Sequence, residues 1–321
     1  MDLLSRVLDS MHPQSSVLGD WHLMAPWGLD VCTASGSPLH FVVEGECWVR
    51  DSAGELVHLG PEDLIMFPHW ERHALLSAPD AVAIDIRVIL ERSGTRPWVP
   101  GERAEAPIAL TVQGNGPATR ILSSVVHFER PGDNPLLREL PRYIHLKAEQ
   151  TRAASLLRSI LQYITAEIAV TQPGYATIAI RLSELLFIQV IRSHLLLHLS
   201  KTTGWLRSFT DAHLSNALRA LYRNVDHHWT VDALAREAGL SRSAFAKRFK
   251  DLTGVTPMDY VCEWRMHVAA NALVSSRALI ADVARKVGYG TTFSFSEAFK
   301  RRYAVSPGQY RKRHRRSAPP S

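Results

Sequence analysis

Cysteine is scarce in this chain of 321 residues. The three present, Cys32, Cys47 and Cys262, are too few and too scattered for a disulfide framework or a four-cysteine zinc site, and they suit a reducing compartment. Long apolar runs are also missing: no stretch reaches the ~18 residues that a membrane span needs. The opening MDLLSRVLDS carries Asp2 and Asp9 where a secretory signal would be basic and then apolar, so a cytoplasmic protein with no membrane association is expected. No Ser/His/Asp nucleophile signature and no glycine-rich phosphate loop occurs, and the expectation is a protein that is not an enzyme. Disorder is excluded by composition, with 46% hydrophobic and 21% charged residues.

The net charge of +6 conceals an asymmetry. From Leu206 to Ser321 there are 20 Lys/Arg and 9 Asp/Glu, a charge of +11. The front part has 17 basic and 22 acidic residues, a charge of −5. A polyanion is therefore expected to face only the back of the chain.

The front reads as strands. Leu39–Arg50, Leu56–Phe67, Ala81–Leu90 and Ile121–Phe128 are short apolar runs rich in Val, Ile, Phe and Trp, divided by Gly and Pro at spacings typical of a barrel or sandwich. After Pro141 the period changes. Ala153–Val170 places Leu156, Leu157, Ile160, Ile164 and Ile168 at helical spacing, and Ala176–Ser200 is a long helix apolar around much of its circumference. Such a helix must bury more than one face, and a homodimer contact through 151–203 is the favoured expectation. From Thr230 the chain reads as short helices over 231–238, 241–252, 257–274, 279–287 and 293–303.

That last segment repeats itself. Phe245, Phe249, Lys250, Val255, Pro257 and Tyr260 recur 50 residues later as Phe295, Phe299, Lys300, Val305, Pro307 and Tyr310. Ala235, Arg236 and Gly239 recur 49 residues later as Ala284, Arg285 and Gly288. In each copy a short helix ends in a glycine suited to a left-handed exit, and a Ser or Thr cap begins the next helix. That is the grammar of a helix-turn-helix, whose second helix reads a major groove.

The combination LAREAGLSRSAFAKRF, TP-x-x-Y-x-x-x-WRM, IADVARKVGY and F-K-x-x-x-x-x-SP-x-x-YR resembles the AraC/XylS family of bacterial transcriptional regulators over roughly 214–312. The resemblance implies base contacts from Ser243, Ala246 and Lys247 in the first unit, with phosphate contacts from Ser241, Arg242 and Lys250. In the second unit it implies base contacts from Thr292, Phe293, Ser296 and Glu297, and phosphate contacts from Thr291, Lys300 and Arg311. Glu297 stands where the family usually has Arg, and Ala304 where it usually has Gly.

LHFVVEGECWV, PEDLIMFPHWERHAL and NPLLRELPRYIHL resemble the cupin-like sensor domain of a subgroup of these regulators, a subgroup that often has a Cys-Gly pair where this chain has Ser123–Ser124. A metal-binding cupin presents His-x-His-x₃-Glu and a later His; the aligned residues are His40, Val42, Glu46 and His73, with Glu62 and Trp70 at usual glycine positions. His40, Glu46 and His73 are the residues a metal would use, and neither a metal nor a cofactor is expected. His40, Trp48 and His73 are candidate ligand contacts.

The expected protein is α+β with two domains. A cupin-like β-barrel sensor is expected over 1–140, a helical linker and dimerisation region over 141–205, a tandem helix-turn-helix domain over 206–312 and a basic disordered tail over 313–321. Its expected partners are double-stranded promoter DNA, a small-molecule effector and RNA polymerase. The alternative is a metal-dependent cupin enzyme with an accessory DNA-binding domain.

Overall fold

Strand β1 (Pro13–Met24) is the longest of the front half and pairs antiparallel with β10 (Ala118–Phe128) over nearly its whole length. In the computed structural model, residues 13–32, 36–69, 71–97, 104–128, 140–170, 172–198 and 211–315 are described. They divide into two units, one built from 13–128 and 140–197, the other from 211–315.

The first unit has two sheets. One holds β11 (Ile144–Leu146), β6 (Leu64–Met66), β3 (Ser37–Glu44), β10, β1 and β9 (Ile108–Val112), in that order. The other holds β5 (Leu56–Leu59), β4 (Cys47–Arg50), β7 (His73–Leu76), β2 (Gly28–Val31) and β8 (Ile84–Asp85). Their inner faces bury Leu29, Val42, Val49, Leu59, Ile65, Phe67, Leu75 and Ile121.

Two expected strands are each divided by a turn. Gly45 (φ 75°) separates β3 from β4; a Cβ there would lie 2.3 Å from the Ala118 carbonyl oxygen, so only glycine fits. The turn between β5 and β6 is pinned by Asp63, whose carboxylate accepts the Gly60 N–H at 3.2 Å and the Ala148 N–H at 2.7 Å. The expected strand over 81–90 is corrected: only Ile84–Asp85 is extended, and Ile86–Arg92 forms helix α1. Asp85 caps it by accepting the Arg87 N–H at 2.9 Å, and Ile86, Ile89 and Leu90 pack against the core at helical spacing. The run AVAIDIRVIL satisfies both periods, and the cap decides between them.

Helices α2 (Ala148–Ala153), α3 (Ser155–Ala169) and α4 (Tyr175–His198) belong to this same unit. α3 buries Leu157, Ile160, Leu161, Ile164 and Ile168. α4 buries Tyr175, Ala179, Leu186, Phe187, Val190, Ile191 and Leu195, with Ser183 bonded through its Oγ to Ser124 of β10 at 3.1 Å.

The second unit is helical: α5 (Ala212–Arg223), α6 (Val231–Ala238), α7 (Arg242–Thr253), α8 (Pro257–Ser275), α9 (Ile280–Lys286), α10 (Thr292–Tyr303) and α11 (Pro307–Arg315). Among the described residues no helix is long and apolar enough to cross a membrane. The start of the tail expected to be disordered, 313–315, is the last turn of α11; Trp70 and the rest of the tail, 316–321, lie outside the described residues.

Candidate nucleic-acid interface

The 50-residue repeat is a repeat of geometry. Phe245 and Phe249 meet with ring centroids 5.5 Å apart and planes at 54°; Phe295 and Phe299 meet at 5.6 Å and 55°. Tyr260 stands edge-on to Phe249 at 70°, and Tyr310 stands edge-on to Phe299 at 82°. All six rings are buried. These anchors fix which face of α7 and of α10 points inward, and so which face is left outward.

The turns repeat as well. Gly239 (φ 65°) ends α6 and Gly288 (φ 78°) follows α9. Ser241 caps α7 by accepting the Ala244 N–H, and Thr291 caps α10 by accepting the Ser294 N–H at 3.1 Å. Gly254 (φ 78°) closes α7 in the left-handed region, and Ala304 closes α10 at φ 59°. One end lacks its counterpart: Thr230 caps α6 through the Ala233 N–H, whereas Leu279, before α9, offers no side-chain cap.

Within the helical unit, Arg265 on α8 ties the two helix-turn-helix copies together. Its guanidinium donates to the carbonyls of Val225 (3.1 Å) and His227 (2.7 Å), just ahead of α6. It also lies 5.9 Å from the Tyr289 ring, and a Cβ added at Gly288 would be 2.5 Å from its Nη2. Burial holds its pKa below the usual arginine value.

The outward faces carry the expected contact residues. On the first unit Ser241, Arg242, Ser243, Lys247 and Lys250 are exposed and Ala246 is half-buried. On the second, Thr291, Thr292, Phe293, Glu297 and Lys300 are exposed and Ser296 is half-buried. Arg311 is the exception. Its guanidinium donates to the carbonyls of Leu273 (3.0 Å) and Ala278 (2.7 Å), so it secures the segment ahead of α9 instead of standing free for a phosphate. Arg248 is likewise engaged, donating through Nε to Asp211 at 2.8 Å, which holds the Asp211 carboxyl below its usual range despite partial burial.

In the first unit of the fold, His40 and His73 are buried and meet, with Nε2 atoms 2.8 Å apart. The hydrogens of this chain can be assigned. The Glu71 carbonyl can only accept, so His73 Nδ1–H donates to it at 2.9 Å. His73 Nε2 therefore accepts from His40 Nε2–H, and His40 Nδ1 accepts from the Ser123 hydroxyl at 3.1 Å. Phe67 stacks on His73 at 3.9 Å. Burial pushes the His73 pKa down to about 4, and burial with the adjacent His73 lowers that of His40 well below the ordinary value.

Every ring nitrogen of the pair is spent, so neither histidine offers a free atom to a ligand or a metal. Glu46 does not join them: it is exposed and 3.2 Å from His58 Nε2, and Trp48 packs against His58 as well. Among the described residues no cluster of three His, Cys, Asp or Glu could hold a metal. The donor set does not fit the cupin metal triad. What the sequence did not point to is a cleft of about 240 Å³ lined by Met24, Glu44, Thr111, Val112, Gln113 and Arg120. Its lining comes from four strand ends whose proximity follows from sheet order.

A two-sheet β unit with two matched helix-turn-helix units on the same chain defines a DNA-binding transcriptional regulator. A cupin family model matches residues 2–196 and a helix-turn-helix domain model residues 234–313. The chain is 29% identical over 315 residues to the HTH-type transcriptional regulator AlkR of Acinetobacter baylyi, covering 97% of this chain and 99% of that protein. It is 23% identical over 322 residues to the RCS-specific HTH-type transcriptional activator RclR of Escherichia coli, covering 99% and 100%. The chain belongs to the AraC/XylS family of transcriptional regulators, with a cupin domain ahead of its helix-turn-helix domain.

Proposed function

We propose that this regulator grips promoter DNA with α7 and α10 in major-groove segments about 34 Å apart, and that its β unit conditions this on a small molecule. The carrying observation is the pair of matched recognition helices, whose inward faces are the same and whose outward side chains are exposed. Lys247 reads base edges, and Arg242, Lys250 and Lys300 neutralise phosphates. Lys247→Ala is expected to reduce discrimination between cognate and random duplexes, and Lys250→Ala to weaken both alike. Fluorescence titration of the two duplexes checks this, and equal losses from both variants would overturn the division of roles.

With the histidine pair saturated, the effector site is the cleft of about 240 Å³ beside β9 and β10. Its mixed lining suits a small amphipathic molecule. A metabolite that raises the melting temperature of the full chain should fail to do so in Thr111→Trp, which fills the cleft; an undiminished shift in that variant would remove the assignment.

Within 151–203, α3 is the proposed homodimer contact. Leu156 and Tyr163, 52% and 61% exposed, lie seven residues apart on α3 and form an apolar strip flanking its buried face. Tyr163→Glu is expected to yield monomer in sedimentation, with the wild type sedimenting as a dimer. RNA polymerase is the proposed further partner at the promoter, and the cytoplasm the proposed location.

A further inference from the structure

The two recognition helices share an interior and differ outside. At matching positions 50 residues apart, Phe245 and Phe295, and Phe249 and Phe299, are identical and buried. The outward positions in the same register are Ser243 against Phe293 and Lys247 against Glu297. A small hydroxyl is replaced by a large apolar ring, and a cation by an anion. Interior identity means the two helices are held alike, so the outward differences fall on the same places of whatever each helix meets.

Phe293 is 78% exposed, near the N-terminal end of α10, which is the end a recognition helix presents to base edges. Glu297 is one turn further on, exposed, with no hydrogen bond or ion pair among the described residues. Ionised, it can only accept hydrogen bonds, the reverse of Lys247, which can only donate. Against the polyanion proposed above, an unpaired carboxylate is repelled unless it accepts from a base.

We infer that the second unit reads neighbouring pyrimidines, a thymine through Phe293 and a cytosine through Glu297, whereas the first reads guanine through Lys247. The chemistry selects these bases. In the major groove the apolar group is the thymine methyl, which a phenyl ring covers. Cytosine offers its N4 amino group without an acceptor on the same base. Adenine sets N7 beside its amino group, and that lone pair opposes a carboxylate. Side chains one helical turn apart, about 5–6 Å between Cβ atoms, reach bases one or two steps apart on a strand rising 3.4 Å per base. Guanine suits Lys247 because O6 and N7 both accept.

The inference rests on the DNA-reading proposal, and the experiment separates the two. The full-length protein selects from a random duplex library, and the selected sites are sequenced for wild type, Phe293→Ser and Glu297→Gln. Wild type is expected to enrich a half-site containing both T and C, about one helical turn from a G-containing half-site. Replacing the thymine by deoxyuridine, which removes only the methyl, should weaken wild type roughly fourfold, the worth of one buried methyl, and leave Phe293→Ser unaffected. Glu297→Gln should exchange the C preference for A, since an amide pairs with adenine N6 and N7, with a discrimination of about tenfold or more.

Unselective recovery of duplexes by wild type would overturn both the DNA-reading proposal and this inference. Selective recovery that depends on Lys247 but is indifferent to deoxyuridine and unchanged by Glu297→Gln would overturn this inference alone.

Discussion

Ala304 closes the second recognition helix in a left-handed conformation, φ 59°, that a Cβ disfavours, while its counterpart Gly254 adopts φ 78° without penalty. Ala304→Gly should therefore stabilise the helical unit by about 1 kcal/mol and raise its melting temperature by several degrees. Gly254→Ala should cost a similar amount, because no atom lies within 4 Å of the added Cβ and only backbone strain remains. Gly288→Ala should cost clearly more, since its Cβ would be 2.5 Å from Arg265 and 2.8 Å from the Asp226 carbonyl oxygen. Thermal melts of the three variants give the order directly, and equal costs for the two glycines would contradict the role given to Arg265. The buried histidines set a second test. Both are neutral in the fold, while an unfolded histidine titrates near its ordinary value of about 6.5. As pH falls below that value the unfolded chain binds protons that the folded chain refuses, so the stabilisation is full above about pH 6.5 and drains toward the folded value of about 4. Denaturant titrations of wild type should show the β unit losing about 2 kcal/mol from His73 between pH 7 and pH 5. A double variant, His40→Gln with His73→Gln, should be less stable at pH 7 but flatter over that interval.

At the scale of elements, the two copies solve one problem with different residues. In each unit an arginine from a following helix ties down the segment ahead of the first helix: Arg265 holds Val225 and His227, and Arg311 holds Leu273 and Ala278. In the 50-residue register Arg311 matches Val261, and Arg265 lies one turn beyond Val261, so the two arginines use the same helix face one turn apart. Matching identical letters misses such an equivalence, and the family resemblance that gave Arg311 a phosphate role says nothing of the carbonyls its guanidinium meets. Helix α9 is the weakest copy, because Leu279 stands where Thr230 caps α6 and is 70% exposed. Leu279→Ser supplies the missing cap while giving up little burial. It is expected to stabilise the helical unit by about 1 kcal/mol in a denaturant titration, and a destabilised variant would show that the exposed leucine is held by some other contact. Helices α6, α7, α8 and α10 were legible because capping residues and apolar spacing agree, whereas α5 and α11 were not among the expected helices. The runs over 39–50, 56–67 and 121–128 were legible as strands but not in their breaks, and β1, β2, β7, β9 and β11 were not among the expected strands; β1 pairs with residues about 89 to 115 positions away, and no local pattern encodes that pairing.

For the molecule as a whole the charge division sets the behaviour in salt. Arg242, Lys250 and Lys300 give about three phosphate neutralisations, for a slope of log K against log salt near −3. Lys250→Ala should make that slope shallower by about one, whereas Phe293→Ser should leave it unchanged while altering sequence preference. An unchanged slope in Lys250→Ala would place that lysine off the backbone. Composition located the DNA-facing half, because +11 and −5 are sums over residues and need no structure. The repeat located the recognition helices for a similar reason: caps, glycine exits and aromatic spacing act within a few residues of one another. The sequence by itself therefore determined the two-part plan, the tandem helix-turn-helix and the outward faces of α7 and α10. Only the tertiary structure decided that His40 and His73 close on each other while Glu46 turns to His58, that Arg311 is spent on carbonyls, and that a cleft opens beside β9 and β10. Those outcomes depend on which distant strands and loops meet, and a side chain's partners are set by that meeting rather than by its neighbours in the chain.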